Sequence, residues 1–109
     1  MDFKEYQKAA RRTADYLNVG NNFIYPTLGL AGEAGEVANK VKKIDRDQRG
    51  ALSDEVKKGI AKEMGDTLWY LATLATEFGL SLDDIAVDNI KKLASRSDRG
   101  IIRGDGDNR

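Results

Sequence analysis

Cysteine and histidine are both absent from the 109 residues, proline occurs once and tryptophan once. Without cysteine there are no disulfides, thiolate nucleophiles or Cys-based zinc sites, a composition that fits a reducing compartment. The missing histidine excludes more. It removes Ser–His triads, His-ligated zinc and the di-iron bundle built on Glu-x-x-His. Any metal must therefore be held by oxygen, which favours hard cations such as Mg²⁺ or Mn²⁺. Charge of one sign is also lacking in excess: 18 basic residues balance 18 acidic ones. That balance argues against a nucleic-acid partner or an anionic membrane surface, which call for a basic surplus. No signal-peptide pattern and no apolar run of bilayer length is found, so the expectation is a cytoplasmic protein.

Apolar residues make up 40% of the chain, enough for one small domain, and charged residues 33%, against about 25% in an average globular chain. A domain this short buries a limited share of its surface, so a second interface would help it. β-Branched alternation is scarce and the apolar spacing predicts four helices. The first runs over 3–17, capped by Asp2, with Phe3, Tyr6, Ala10, Ala14 and Leu17 on one stripe. A turn-rich loop containing Gly20, Asn21 and Asn22 follows, and Pro26 suits the first turn of a second helix that runs to Ile44. The polar stretch 45–52 reads as a mobile connection. Ser53 caps a third helix, which runs to Phe78 with Gly79 as its C′ residue. Ser81 caps a fourth, with Asp84 as capping-box partner, ending near Ser95 or Ser97. Residues 1–98 are thus expected to form an all-α, four-helix bundle-like domain, and the Gly-rich tail 99–109 to be loose unless it folds over a neighbour.

Three of these helices carry one polar spacing, i, i+3, i+7. Glu33, Glu36 and Lys40 fall within an arc of roughly 60° on the second helix. Glu63, Asp66 and Tyr70 repeat the pattern on the third, and Asn89, Lys92 and Arg96 on the fourth. A solvated face laced by the i, i+4 pairs Glu36–Lys40 and Lys62–Asp66 is the plain alternative. Against it, carboxylates three apart repel, and these lie beside Ala34, Val37 and Met64 at the edge of the apolar face. A divalent cation is the strongest compensation available, and four carboxylates from two helices can hold two or more Mg²⁺. Gly29, Gly32, Gly35 and Gly65 cluster nearby although each costs roughly 1 kcal/mol of helix propensity, which points to close helix approach or a bulky ligand. Trp69, some 60° off the acidic stripe, reads as core. Phe23 and Tyr25 read as core or staple residues before base-stacking ones.

The runs Gly29-Leu-Ala-Gly-Glu33-Ala-Gly-Glu36-Val and Glu63-Met-Gly-Asp66-Thr-Leu-Trp-Tyr-Leu resemble those of MazG-like nucleotide pyrophosphohydrolases, in the all-α NTP pyrophosphatase superfamily. The pattern is Glu-x-x-Glu, a spacer, here 26 residues, and Glu-x-x-Asp. The resemblance continues through Asn89-Ile-Lys-Lys92-Leu-Ala-Ser-Arg96 and the Gly-Asp-Gly-Asp-Asn-Arg ending. It implies an obligate-oligomer fold, a homodimer or homotetramer with its site near a subunit interface. It implies Mg²⁺-dependent hydrolysis of a nucleoside triphosphate between the α and β phosphates, giving monophosphate and pyrophosphate in nucleotide-pool housecleaning, with Mn²⁺ as a substitute metal. Glu33, Glu36, Glu63 and Asp66 would be the catalytic metal ligands, Glu33 polarising the attacking water. Lys40, Tyr70, Asn89, Lys92 and Arg96 would bind substrate. Gly32 departs from the pattern, since many members carry a further Glu there, and this bears on metal number. Two rivals stand beside this reading: a base-specific relative acting on dUTP, dCTP or phosphoribosyl-ATP, and a non-catalytic helical module that binds nucleotide or metal and dimerises.

Overall fold

A computed structural model describes residues 1–109, the side chain of Gln48 excepted. Four helices follow in order: α1 (Phe3–Arg11), α2 (Ile24–Gln48), α3 (Asp54–Glu77) and α4 (Leu82–Asp98). Among the described residues there are no strands. No helix is long and apolar enough to cross a membrane.

The caps at three N-termini are those the residue types predict. Asp2 accepts the N–H of Glu5, Ser53 that of Val56 and Ser81 that of Asp84. At the start of α2 it is Asn22 whose side-chain oxygen accepts the N–H groups of Ile24 and Tyr25, both at 3.1 Å. Gly79 takes φ +68° and lets Leu80 N–H reach back to the Ala75 carbonyl, which ends α3 as expected.

Two boundaries differ from expectation. The first helix stops at Arg11, six residues short. Thr13 donates its hydroxyl to the Ala10 carbonyl and accepts the Trp69 indole N–H, so the chain is pulled off the helical path. Beyond it Tyr16 turns inward and is buried, while Leu17 is left 79% exposed. The second helix runs past Ile44 to Gln48. Nothing in that charged segment breaks a helix; the break waits for positive φ at Arg49 and Gly50.

α2 and α3 form an antiparallel hairpin, shown by the pairing of Gly29 with Tyr70 at one end and Lys40 with Glu63 nearer the other. α1 packs against the C-terminal half of α3. Gln7 staples it there by donating to Thr76 Oγ1 and the Leu80 carbonyl and accepting the N–H of Leu82. α4 packs chiefly on α1, not on α2. The core is correspondingly small: Ala10, Ala72 and Leu82, flanked by Tyr6, Trp69 and Leu71. The radius of gyration is 16.8 Å, where about 13 Å is typical for this length. Accessible surface is 7970 Å², where a folded monomer of this mass exposes about 6,000 Å².

Candidate metal and nucleotide site

The hairpin sets the polar stripe of α2 over that of α3. Oxygens of Glu33, Glu63 and Asp66 all lie within 4.8 Å of one another, with both glutamates half-buried and Asp66 exposed. Removal from water and then the neighbouring acids raise the Glu33 carboxyl above its ordinary value: it shares a hydrogen bond with Glu63 and feels the charges of Asp66, Glu63 and Glu36. Glu36 lies on the same stripe and contributes that repulsion, but its carboxylate stands outside the close group and is exposed. Neither i, i+4 pair of the solvated-face alternative forms among the described residues. Lys40 reaches across to Glu63 instead, at 3.8 Å. This half-exposed contact is a weak counterbalance to three acids.

Tyr70 borders the acidic group. Burial, a hydrogen bond and charge from Tyr25, and the charges of Glu33 and Asp66 raise its phenol pKa. Its ring occupies the space where a side chain at Gly29 would begin, so that glycine is required for close approach. Gly32, Gly35 and Gly65 have no neighbours within 4 Å of a would-be Cβ, so within one chain no close approach requires them. Two aromatic neighbours were not legible as such. Tyr6 of α1 has its phenol pKa raised by burial and then by the Asp66 charge. Tyr25 stacks on Tyr16 at 4.9 Å and tilts against Tyr70 at 6.3 Å. Tyr6 sits on the apolar stripe of α1, where spacing reads only as core. Trp69 packs in the core and bonds Thr13, and Phe23 stacks on Phe78.

Within one chain the third stripe does not join the other two. Asn89 and Lys92 are exposed on α4. Arg96 is only 5% exposed and faces the C-terminal tail, donating to the carbonyls of Asp107 (2.7 Å) and Gly106 (3.3 Å). Arg109 donates to the carbonyls of Ile101, Ile102 and Gly106, folding 101–109 back on itself.

Fold and site together define an all-α protein with an acidic centre on a helical hairpin. Residues 26–101 match the MazG nucleotide pyrophosphohydrolase domain, which spans the hairpin, the acidic centre and α4. The chain belongs to this family of nucleotide pyrophosphohydrolases. It is 47% identical over 109 residues to the Gene 37 protein of Mycobacterium phage L5, covering 95% of this chain and 96% of that one. It is 36% identical over 72 residues to the uncharacterized protein YvdC of Bacillus subtilis (strain 168), covering 62% and 68%. No solved structure matches it significantly.

Proposed function

We propose that the protein is a Mg²⁺-dependent nucleoside triphosphate pyrophosphohydrolase that opens the α–β anhydride of a (d)NTP to give (d)NMP and pyrophosphate, in housecleaning of the nucleotide pool. The observation that carries this reading is the convergence of Glu33, Glu63 and Asp66 from two helices, inside the stretch that matches the family. Three carboxylates so close, one binding its proton more tightly than an ordinary glutamate, leave a charge deficit that a hard divalent cation fits. Mg²⁺, or Mn²⁺ in its place, would be held by these three with Glu36 beside them, and would supply neutralisation of phosphate charge and Lewis acidity. Glu33, at that centre, would take the proton of the attacking water as the phosphorus–oxygen bond to the leaving pyrophosphate breaks. Lys40 and the Tyr70 hydroxyl border the same centre and are placed to orient phosphate oxygens.

The remaining substrate ligands, Asn89, Lys92 and Arg96, come from α4 of a second copy in this reading. Support lies in the surface that one chain leaves uncovered, about 2,000 Å² beyond that of a typical monomer of this mass. Leu28, Met64 and Ile90 are each more than half exposed. Ala34, Val37, Met64, Gly65, Leu68 and Leu71 line an almost wholly apolar groove on the α2–α3 hairpin. A homodimer or homotetramer covers such a surface; a lone chain this small does not.

The test is product analysis on a panel of dNTPs and NTPs, including dUTP and dCTP, and on phosphoribosyl-ATP, with and without Mg²⁺. Metal-dependent release of monophosphate and pyrophosphate is expected, and the rate ranking names the base. Diphosphate plus orthophosphate, or ligand-induced thermal stabilisation with no product from any substrate, would overturn the reading.

A further inference from the structure

The tail is built as a clasp. Besides the three bonds from Arg109, Arg99 donates to the Arg109 carbonyl at 2.7 Å and, through Nε, to Ser95. Arg96 fastens the clasp to α4 from below, and its buried Nε keeps no partner among the described residues. What this construction holds in place is one carboxylate. Asp107 Oδ1 lies 3.4 Å from Lys92 Nζ and 3.8 Å from the Arg96 guanidinium. The carboxylate is 87% exposed, the Arg96 side chain 6%. Asp107 therefore caps the cation pair on its solvent side, where an incoming anion would arrive. A carboxylate set between Lys and Arg, at ion-pair distance from both, faces the two cations that a phosphate oxygen would face.

We propose that Asp107 is a built-in stand-in for a substrate phosphate. It occupies the Lys92–Arg96 seat in the free protein, and the polyphosphate displaces it on binding. This rests on the reading that Lys92 and Arg96 take substrate phosphate. An internal competitor lowers affinity by the fraction of time the seat is open. Because the Asp107 carboxylate is exposed and both of its ion-pair contacts are long, the closed form outweighs the open one only modestly. The expected effect of removing the competitor is an affinity gain of about two- to five-fold at low salt, shrinking as salt rises.

The experiment uses the full chain and inorganic tripolyphosphate as probe, followed by calorimetry and by the NMR signals of α4, with circular dichroism as the check on folding. Asp107→Asn should bind tripolyphosphate two- to five-fold more tightly than wild type. Asp105→Asn is the control: it makes the same charge change in the same tail but forms no ion pair with Lys92 or Arg96 among the described residues. It should gain much less. In a Lys92→Met background Asp107→Asn should give no gain. Three results would overturn the inference: weaker or unchanged binding by Asp107→Asn, an equal gain from Asp105→Asn, or a gain that survives Lys92→Met. Absence of tripolyphosphate binding in both wild type and Asp107→Asn would overturn it as well. Because the readout is binding, a failure of nucleotide hydrolysis with these shifts intact sinks the hydrolase reading alone.

Discussion

With its oxygens within 4.8 Å of those of Glu63 and Asp66, the Glu33 carboxylate carries a repulsion that the metal-free fold must tolerate. Neutralising it should help that fold. Glu33→Gln is expected to melt at a higher temperature than wild type in chelator, to gain nothing further from Mg²⁺, and to lose turnover. A lower melting temperature in chelator would show that the group is not under strain of charge. Asp66→Asn should likewise abolish turnover with helicity intact. Gly29 makes the opposite case, where space decides. A Cβ there would overlap the Tyr70 ring, which is hemmed in by Tyr25 and Trp69. Gly29→Ala, although favourable for helix propensity, should destabilise by about 1–3 kcal/mol through overpacking. Thermal melts compared with Gly32→Ala, where the Cβ meets open space and propensity alone should stabilise, check the sign.

The connection between α1 and α2 is held by one side chain of α3. Glu77 accepts the Tyr16 hydroxyl and the Gly20 N–H, and pairs with Arg11 at 3.5 Å, with its side chain almost fully buried. Burial pushes its carboxyl up, but the bonds from Tyr16, Gly20 and Asn22 and the charge of Arg11 outweigh it, so the net shift is below the ordinary 4.5. A carboxylate with a lowered folded value contributes stability above its unfolded pKa and loses it as pH falls through the folded one. Wild type should therefore lose stability as pH drops below 4.5, and Glu77→Gln should be less stable at pH 7 yet flatter across that acid window. Melts at a series of pH values test both. The same residue explains what spacing could not reveal. Helix caps at Ser53 and Ser81 and the break at Gly79 are local chemistry and were legible. The early end of α1 was not, because the partner that turns Tyr16 inward is 61 residues away. The acidic stripes were legible since both helices repeat one spacing. The clasp was not, since Arg96 and Arg109 bond to backbone carbonyls, which carry no residue signature.

At the level of the whole chain, size and charge bear on the proposed pairing of two copies. The acidic centre lies on the α2–α3 hairpin while the amide and cationic stripe lies on a helix that packs on α1, and about 2,000 Å² more surface is exposed than a monomer of this mass should show. If α4 of one copy serves the hairpin of another, then two damaged chains can repair each other. Asp66→Asn damages the hairpin half of a site and Lys92→Met the α4 half. In a mixed dimer one site then collects both defects and the other collects neither. Random reassortment of a 1:1 mixture, for instance after refolding together, puts half the dimers in the mixed class, so about a quarter of wild-type activity should return from two inactive parents. If each site is instead completed within its own chain, every site keeps one defect and no activity returns, whatever the mixing ratio. Ile90→Glu separates assembly from chemistry: on a helix whose Ile90 is 65% exposed in the single chain, the charge should leave the fold intact and split the oligomer. Light scattering would then report monomer, and turnover should fall with the dimer rather than with helicity.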